Sequence, residues 1–174
     1  MGRIFSDQNR FEQWLAVELA ASEALAETGV VPLEAARALR AHAGFEVARI
    51  HEIEREVKHD VIAFTTAVAE KMKAAGHADA SRWLHYGLTS NDVVDTAQAL
   101  VLKQASKLIL EGALALAASM ERRAWEFKDA VQIGRTHGIH AEPVTFGLKL
   151  ALWYDELTRN IRRFEAAAED LRVG

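Results

Sequence analysis

Only two prolines occur in this chain, Pro32 and Pro143, and no residue between them carries the ring that breaks a helix interior. Within that run Val93, Ala97, Leu100, Val101, Leu108 and Ile109 recur at helical spacing. They predict one helix from the Thr89–Asp92 region to about Phe127, which at roughly 1.5 Å per residue exceeds about 50 Å. A second long helix is predicted to open at Pro143, with Phe146, Leu150, Trp153, Leu157, Phe164, Ala168 and Leu171 at three- or four-residue steps or whole heptads. Helices of that length cannot bury their apolar faces inside a small domain. The expectation is an all-α fold. Residues 1–88 form a small helical N-terminal domain, and residues 89–174 form the first two long helices of a central bundle, completed by further chain or by other subunits.

Half of the 174 residues are apolar, which permits a packed core. The 21 Lys+Arg and 25 Asp+Glu are interspersed, so the formal charge of −4 provides no basic footprint for nucleic acid. Without cysteine there is no disulfide, thiolate metal site or cysteine nucleophile. No HExxH-like spacing suggests zinc, and no cofactor is expected. The first residues carry no signal-like apolar run, and no stretch of about 18 apolar residues could span a membrane. A cytoplasmic protein with neither a nucleic-acid nor a membrane partner is the expectation.

In the first domain, Ser6 or Asp7 caps a helix that carries Phe11, Trp14, Leu15, Glu18 and Leu19 to Thr28-Gly29. Pro32 suits the first turn of a short helix ending at Gly44. A third helix is predicted over Glu46 to Ala75, closed by Gly76. Strand signals are nearly absent, apart from a short apolar piece over Ala130 to Ile133. His42, His51 and His77 lie among charges and alanines and read as surface residues.

Three polar clusters interrupt this pattern: Lys58-His59-Asp60, His85 to Asp92, and Gly134 to His140. Helix starts offer free amides and a positive dipole end, so Thr89, Ser90 and nearby amides suit a carboxylate or phosphate. Histidine adds proton transfer near neutral pH. Each cluster also has a purely structural account. Thr89 to Asp92 can be a helix cap, His59 and Asp60 a surface pair, and Gly134 to Gly138 a glycine-bracketed turn.

Four stretches in order alter that balance: IFSDQNRFEQWLAVELA at Ile4 to Ala20, EIEREVKHDVIAF at Glu52 to Phe64, WLHYGLTSNDVVDTA at Trp83 to Ala97, and GRTHGIHAEPVTFGLKLALW at Gly134 to Trp153. On these the chain resembles the amino-terminal part of the adenylosuccinate lyase branch of the fumarase and aspartase superfamily. The resemblance implies that His137 donates a proton to the departing purine nitrogen. It also implies that His59, between Lys58 and Asp60, contacts substrate and supports His137. Thr89 and Ser90 match a pair that binds the succinyl carboxylate, His85 lies near the nucleotide, and Thr136 adds a hydroxyl beside the acid. The implied substrate is a purine nucleotide and the implied assembly a homotetramer whose sites draw on several subunits.

The family's serine-bearing loop, of the SSxMPxKxNP type, is absent from this sequence, as is an SGAVGT-like segment. Arg3-Ile4 is a poor match to the family's Arg-Tyr near the start. The chain alone is therefore expected to be inactive. A carboxymuconate cycloisomerase-like protein, which shares a TSxDxxDTA stretch, is the rival within the superfamily. A non-catalytic helical oligomerisation module is the rival outside it.

Overall fold

Ser6 has extended backbone and accepts a hydrogen bond from the Asn9 amide, and this starts α1, Asp7–Glu27. Gly29, at φ +77°, turns the chain out of it. α2 covers Leu33–His42, with Pro32 at the cap position just before the first turn. The computed structural model, which describes residues 1–172, departs from the sequence expectation at the next element. The single helix expected over Glu46 to Ala75 is two helices, α3 at Val47–Val57 and α4 at Asp60–Ala74. Lys58 ends α3 in the left-handed region, at φ +55°, and His59 caps α4 with its own ring. A short helix, α5, covers Ala78–Ser81, and the expected long helix is α6, Ser90–Glu126.

The second departure follows α6. Val131–Thr136 (β1) and Ile139–Thr145 (β2) pair as an antiparallel hairpin. Pro143 lies opposite Ile133 within that ladder and does not open a helix. The last helix, α7, spans Phe146–Asp170 and is capped by the Thr145 hydroxyl, which accepts from the Leu148 amide. At the hairpin tip His137 and Gly138 both have positive φ, +49° and +75°, the requirement of a two-residue type I′ turn. A register shift between Ile133 and Arg135 marks a bulge. There the Glu142 carbonyl approaches so closely that a Cβ on Gly134 would lie 2.7 Å from it. Gly147 is equally constrained, since a Cβ there would lie 2.4 Å from the Ala124 carbonyl. Among the described residues, no helix is long and apolar enough to cross a membrane.

Packing separates two compact units, one over Met1–Leu102 and one over Lys103–Leu171. The core of the first is aromatic. Phe11 stacks on Phe64 with centroids 5.9 Å apart, and Trp14 meets both rings edge-on. Leu39, Ile50, Val68, Met72 and Val93 complete it, all fully buried. This core includes residues of α1 and α4, Leu84 of the α5–α6 connection and Val93 near the start of α6, the segments that carry or adjoin Glu18, His59, His85, Thr89 and Ser90.

Candidate active site

Among the described residues, only three other than glycine have positive φ: Lys58, His85 and His137. Each falls in one of the three polar clusters. Left-handed backbone costs a side-chain-bearing residue on the order of 1–3 kcal/mol, and such strain gathers where function requires it.

Lys58 provides the turn that breaks α3 from α4, and that break exposes His59. The His59 Nδ1 accepts from the Ile62 amide at 3.4 Å, so in the neutral ring the hydrogen sits on Nε2. That Nε2 lies 3.5 Å from the Ser90 hydroxyl oxygen, and Ser90 is the first residue of α6. Asp60 stands beside the ring, its Oδ1 3.5 Å from Nδ1. A histidine, a hydroxyl and the positive end of a 37-residue helix thus converge.

Thr89 precedes that helix. Its amide and hydroxyl both donate to the Asp92 carboxylate, at 2.7 and 3.0 Å. The structural account holds here as a back-reaching cap. Both Thr89 donors are thus engaged by the carboxylate of Asp92.

His85 is held by a residue absent from the sequence-based site. Glu18 is fully buried, its Oε2 accepts from the His85 amide at 2.8 Å, and its Oε1 lies 2.6 Å from the His85 Nδ1. Burial pushes the Glu18 carboxyl above its usual range, and the hydrogen bonds and charge of His85 oppose that rise.

Thr136 and His137 lie in the second unit, exposed at the turn of the hairpin. Near them Arg135 meets the His140 Nε2 at 3.2 Å. His59, His85, Thr89 and Ser90 therefore share one unit, and Thr136 and His137 belong to the other. His42, His51 and His77, read as surface residues, are exposed or half-buried; His42 stacks on His77 with centroids 4.0 Å apart, and His51 lies 3.2 Å from Asp7.

The lyase family matches residues 1–174 of this sequence. The chain belongs to that family. It is 48% identical over 174 residues to adenylosuccinate lyase of Bacillus subtilis (strain 168). It is 45% identical to adenylosuccinate lyase of Staphylococcus saprophyticus. Each match covers all of this chain and 39% of the relative, so the chain spans about two fifths of their length. Among solved structures it is similar to 3-carboxy-cis,cis-muconate lactonizing enzyme from Pseudomonas putida, at TM-score 0.89 and 32% identity. That match covers 97% of this chain and 39% of the other. A fumarate lyase from Mesorhizobium sp. BNC1 matches at TM-score 0.86 and 29% identity, over 97% of this chain and 40% of that one.

For this lyase-family chain the start of α6 makes an acid-sensitive prediction. Hydrogen bonds from the Thr89 amide and then its hydroxyl hold the Asp92 carboxyl below its usual value, helped by the charge of His85. A carboxyl depressed in the folded state stabilises the fold above its unfolded pKa of about 3.9. That contribution disappears as pH falls through the lower folded value. Wild type is expected to be more stable than Asp92→Ala near neutral pH, with the gap closing below about pH 3.9. Urea denaturation at a series of pH values checks this, and a gap that persists undiminished into strong acid counts against it.

Proposed function

We propose that this chain supplies part of the active site of an adenylosuccinate lyase. The reaction eliminates fumarate from adenylosuccinate to give AMP, and likewise from the succinylated imidazole carboxamide ribotide of purine biosynthesis. The observation that carries the reading is the meeting of His59 Nε2 with the Ser90 hydroxyl at the first turn of α6.

Elimination removes a proton from the carbon next to one succinyl carboxylate and breaks the bond from the neighbouring carbon to nitrogen. The nitrogen must gain a proton as fumarate departs. The intermediate carries two negative charges on one carboxylate, and preorganised donors at a helix start stabilise such charge. Thr89 and Ser90 take that role, with Lys58, His59 and Asp60 beside it. His137 is the acid for the leaving nitrogen and Thr136 its neighbour, while His85 lies toward the nucleotide. The site is completed by self-association into a homotetramer, and no step uses a cofactor. Because the SSxMPxKxNP-type base loop is absent from the sequence, the chain alone is proposed inactive.

A second reading, a muconate-cycloisomerase-like activity, draws on the TM-score of 0.89 to the Pseudomonas putida enzyme. The identity of 48% to an adenylosuccinate lyase along the whole chain favours the first. The test is fumarate release from adenylosuccinate, followed by ultraviolet absorbance, for the chain alone and mixed with a polypeptide carrying the remaining length of such a lyase. Turnover in the mixture only is expected. No turnover in a mixture shown to assemble, or turnover of a carboxymuconate instead, rejects the proposal.

A further inference from the structure

Among the described residues, Glu18 and Ser22 are the buried polar side chains, and of the two only Glu18 ionises. Burying a carboxylate is costly unless its oxygens are fully engaged. Both contacts of Glu18 are to one residue, His85, whose side chain is 26% exposed while that of Glu18 is fully covered. His85 carries positive φ, +61°, so a strained backbone and a buried carboxyl group are located together.

We propose that Glu18 is a positioning residue. It keeps a proton on the His85 Nδ1 and so leaves Nε2 as the ring atom presented to substrate. The assignment rests on the reading of His85 as facing the nucleotide. A backbone amide can only donate, so Oε2 of Glu18 must accept from it. In the carboxylate, Oε1 is an acceptor too, and at 2.6 Å it requires hydrogen on Nδ1. Nδ1 is then protonated in both the neutral ring and the imidazolium, and only Nε2 changes between acceptor and donor. Fixing one ring nitrogen through a buried carboxylate determines what the other can do, as it does for metal-bound histidines.

Glu18→Gln separates this role from simple support. Gln retains the size but has one accepting oxygen and one donating nitrogen. The His85 amide claims the oxygen, which leaves the Gln NH2 facing Nδ1. Nδ1 must then lose its proton and accept, and the neutral ring is forced to the opposite tautomer, with hydrogen on Nε2.

The experiment is a long-range proton–nitrogen NMR correlation of the histidine rings in the 15N-labelled chain, with His85 assigned by its loss in His85→Asn. Expected are a protonated-type Nδ1 and an unprotonated-type Nε2 for neutral His85 in wild type, exchanged in Glu18→Gln. Wild type showing an unprotonated Nδ1, which signals a neutral Glu18 donating to the ring, overturns the proposal. A Gln variant that keeps the wild-type pattern overturns it as well. If Glu18→Gln does not fold, the wild-type spectrum decides alone. The measurement needs no turnover, so a failed lyase assay with the predicted ring pattern rejects the substrate reading and leaves standing only the tautomer that Glu18 imposes on His85.

Discussion

Replacing His137 by Ala in the assembled lyase is expected to lower kcat by about 10²- to 10⁴-fold, the usual contribution of a positioned general acid. On the proposed mechanism, loss of the proton donor makes the departing nitrogen a poor leaving group. The same proposal assigns substrate binding to Thr89 and Ser90, which the substitution leaves in place, so KM should change far less than kcat. Alanine alone is an imperfect test, because His137 has φ +49° at a two-residue turn. Left-handed backbone disfavours alanine, and a misfolded hairpin would also reduce activity. Asparagine tolerates this conformation and cannot transfer the proton. Both variants are therefore expected to lose activity, with the hairpin intact in His137→Asn by NMR. A His137→Asn enzyme within about tenfold of wild type would remove His137 from the acid role.

Where the signals are local, the sequence is a good guide to this fold. The Ser6 cap, the stop at Gly29, the stop at Gly76 and the length of α6 each depend on side chains within a turn of the event. The α3–α4 break is hidden because neither glycine nor proline marks it. Lys58 takes the left-handed position that glycine usually fills, and a histidine ring does the capping that Ser or Asp usually does. The start of β1 is legible as the apolar piece over Ala130 to Ile133, but β2 is masked by Pro143, whose common place at a helix start competes with its place on an exposed strand. Thr145, two residues on, is the true cap.

The candidate site divides in the same way. Thr89 and Ser90 stand out in sequence as a polar cluster at a helix start and His59 as a polar interruption within the third predicted helix, and the structure brings His59 to Ser90. Glu18 gave a signal of a different kind, a carboxylate on the stripe of Phe11, Trp14, Leu15 and Leu19. A charge on a buried stripe needs a partner, but that partner lies 67 residues away, beyond the reach of any local pattern. Periodicity shows that Glu18 faces inward. It does not show that His85 is waiting there.

Phe64→Ala carries the largest expected loss of stability. Phe64 is fully buried, stacks on Phe11, and meets Trp14 and Phe45 edge-on at 5.5 and 5.9 Å. Truncation removes the ring and leaves a cavity framed by other aromatics, whose planar shapes cannot close over it, so about 3–5 kcal/mol should be lost. Domains of this size hold only about 5–15 kcal/mol in total. The consequence reaches the site because of where these rings sit. Phe64 is on α4, whose first turn His59 caps, and Phe11 and Trp14 are on α1, which carries Glu18. The variant should therefore loosen both the His59–Ser90 contact and the His85 anchor, though it touches neither. Urea denaturation followed by tryptophan fluorescence measures the loss, since Trp14 packs directly on the missing ring. A loss under about 1 kcal/mol would mean that the cluster closes around the gap, and that the frame of the first unit depends on its aliphatic layer of Leu39, Ile50, Val68 and Met72 rather than on its rings.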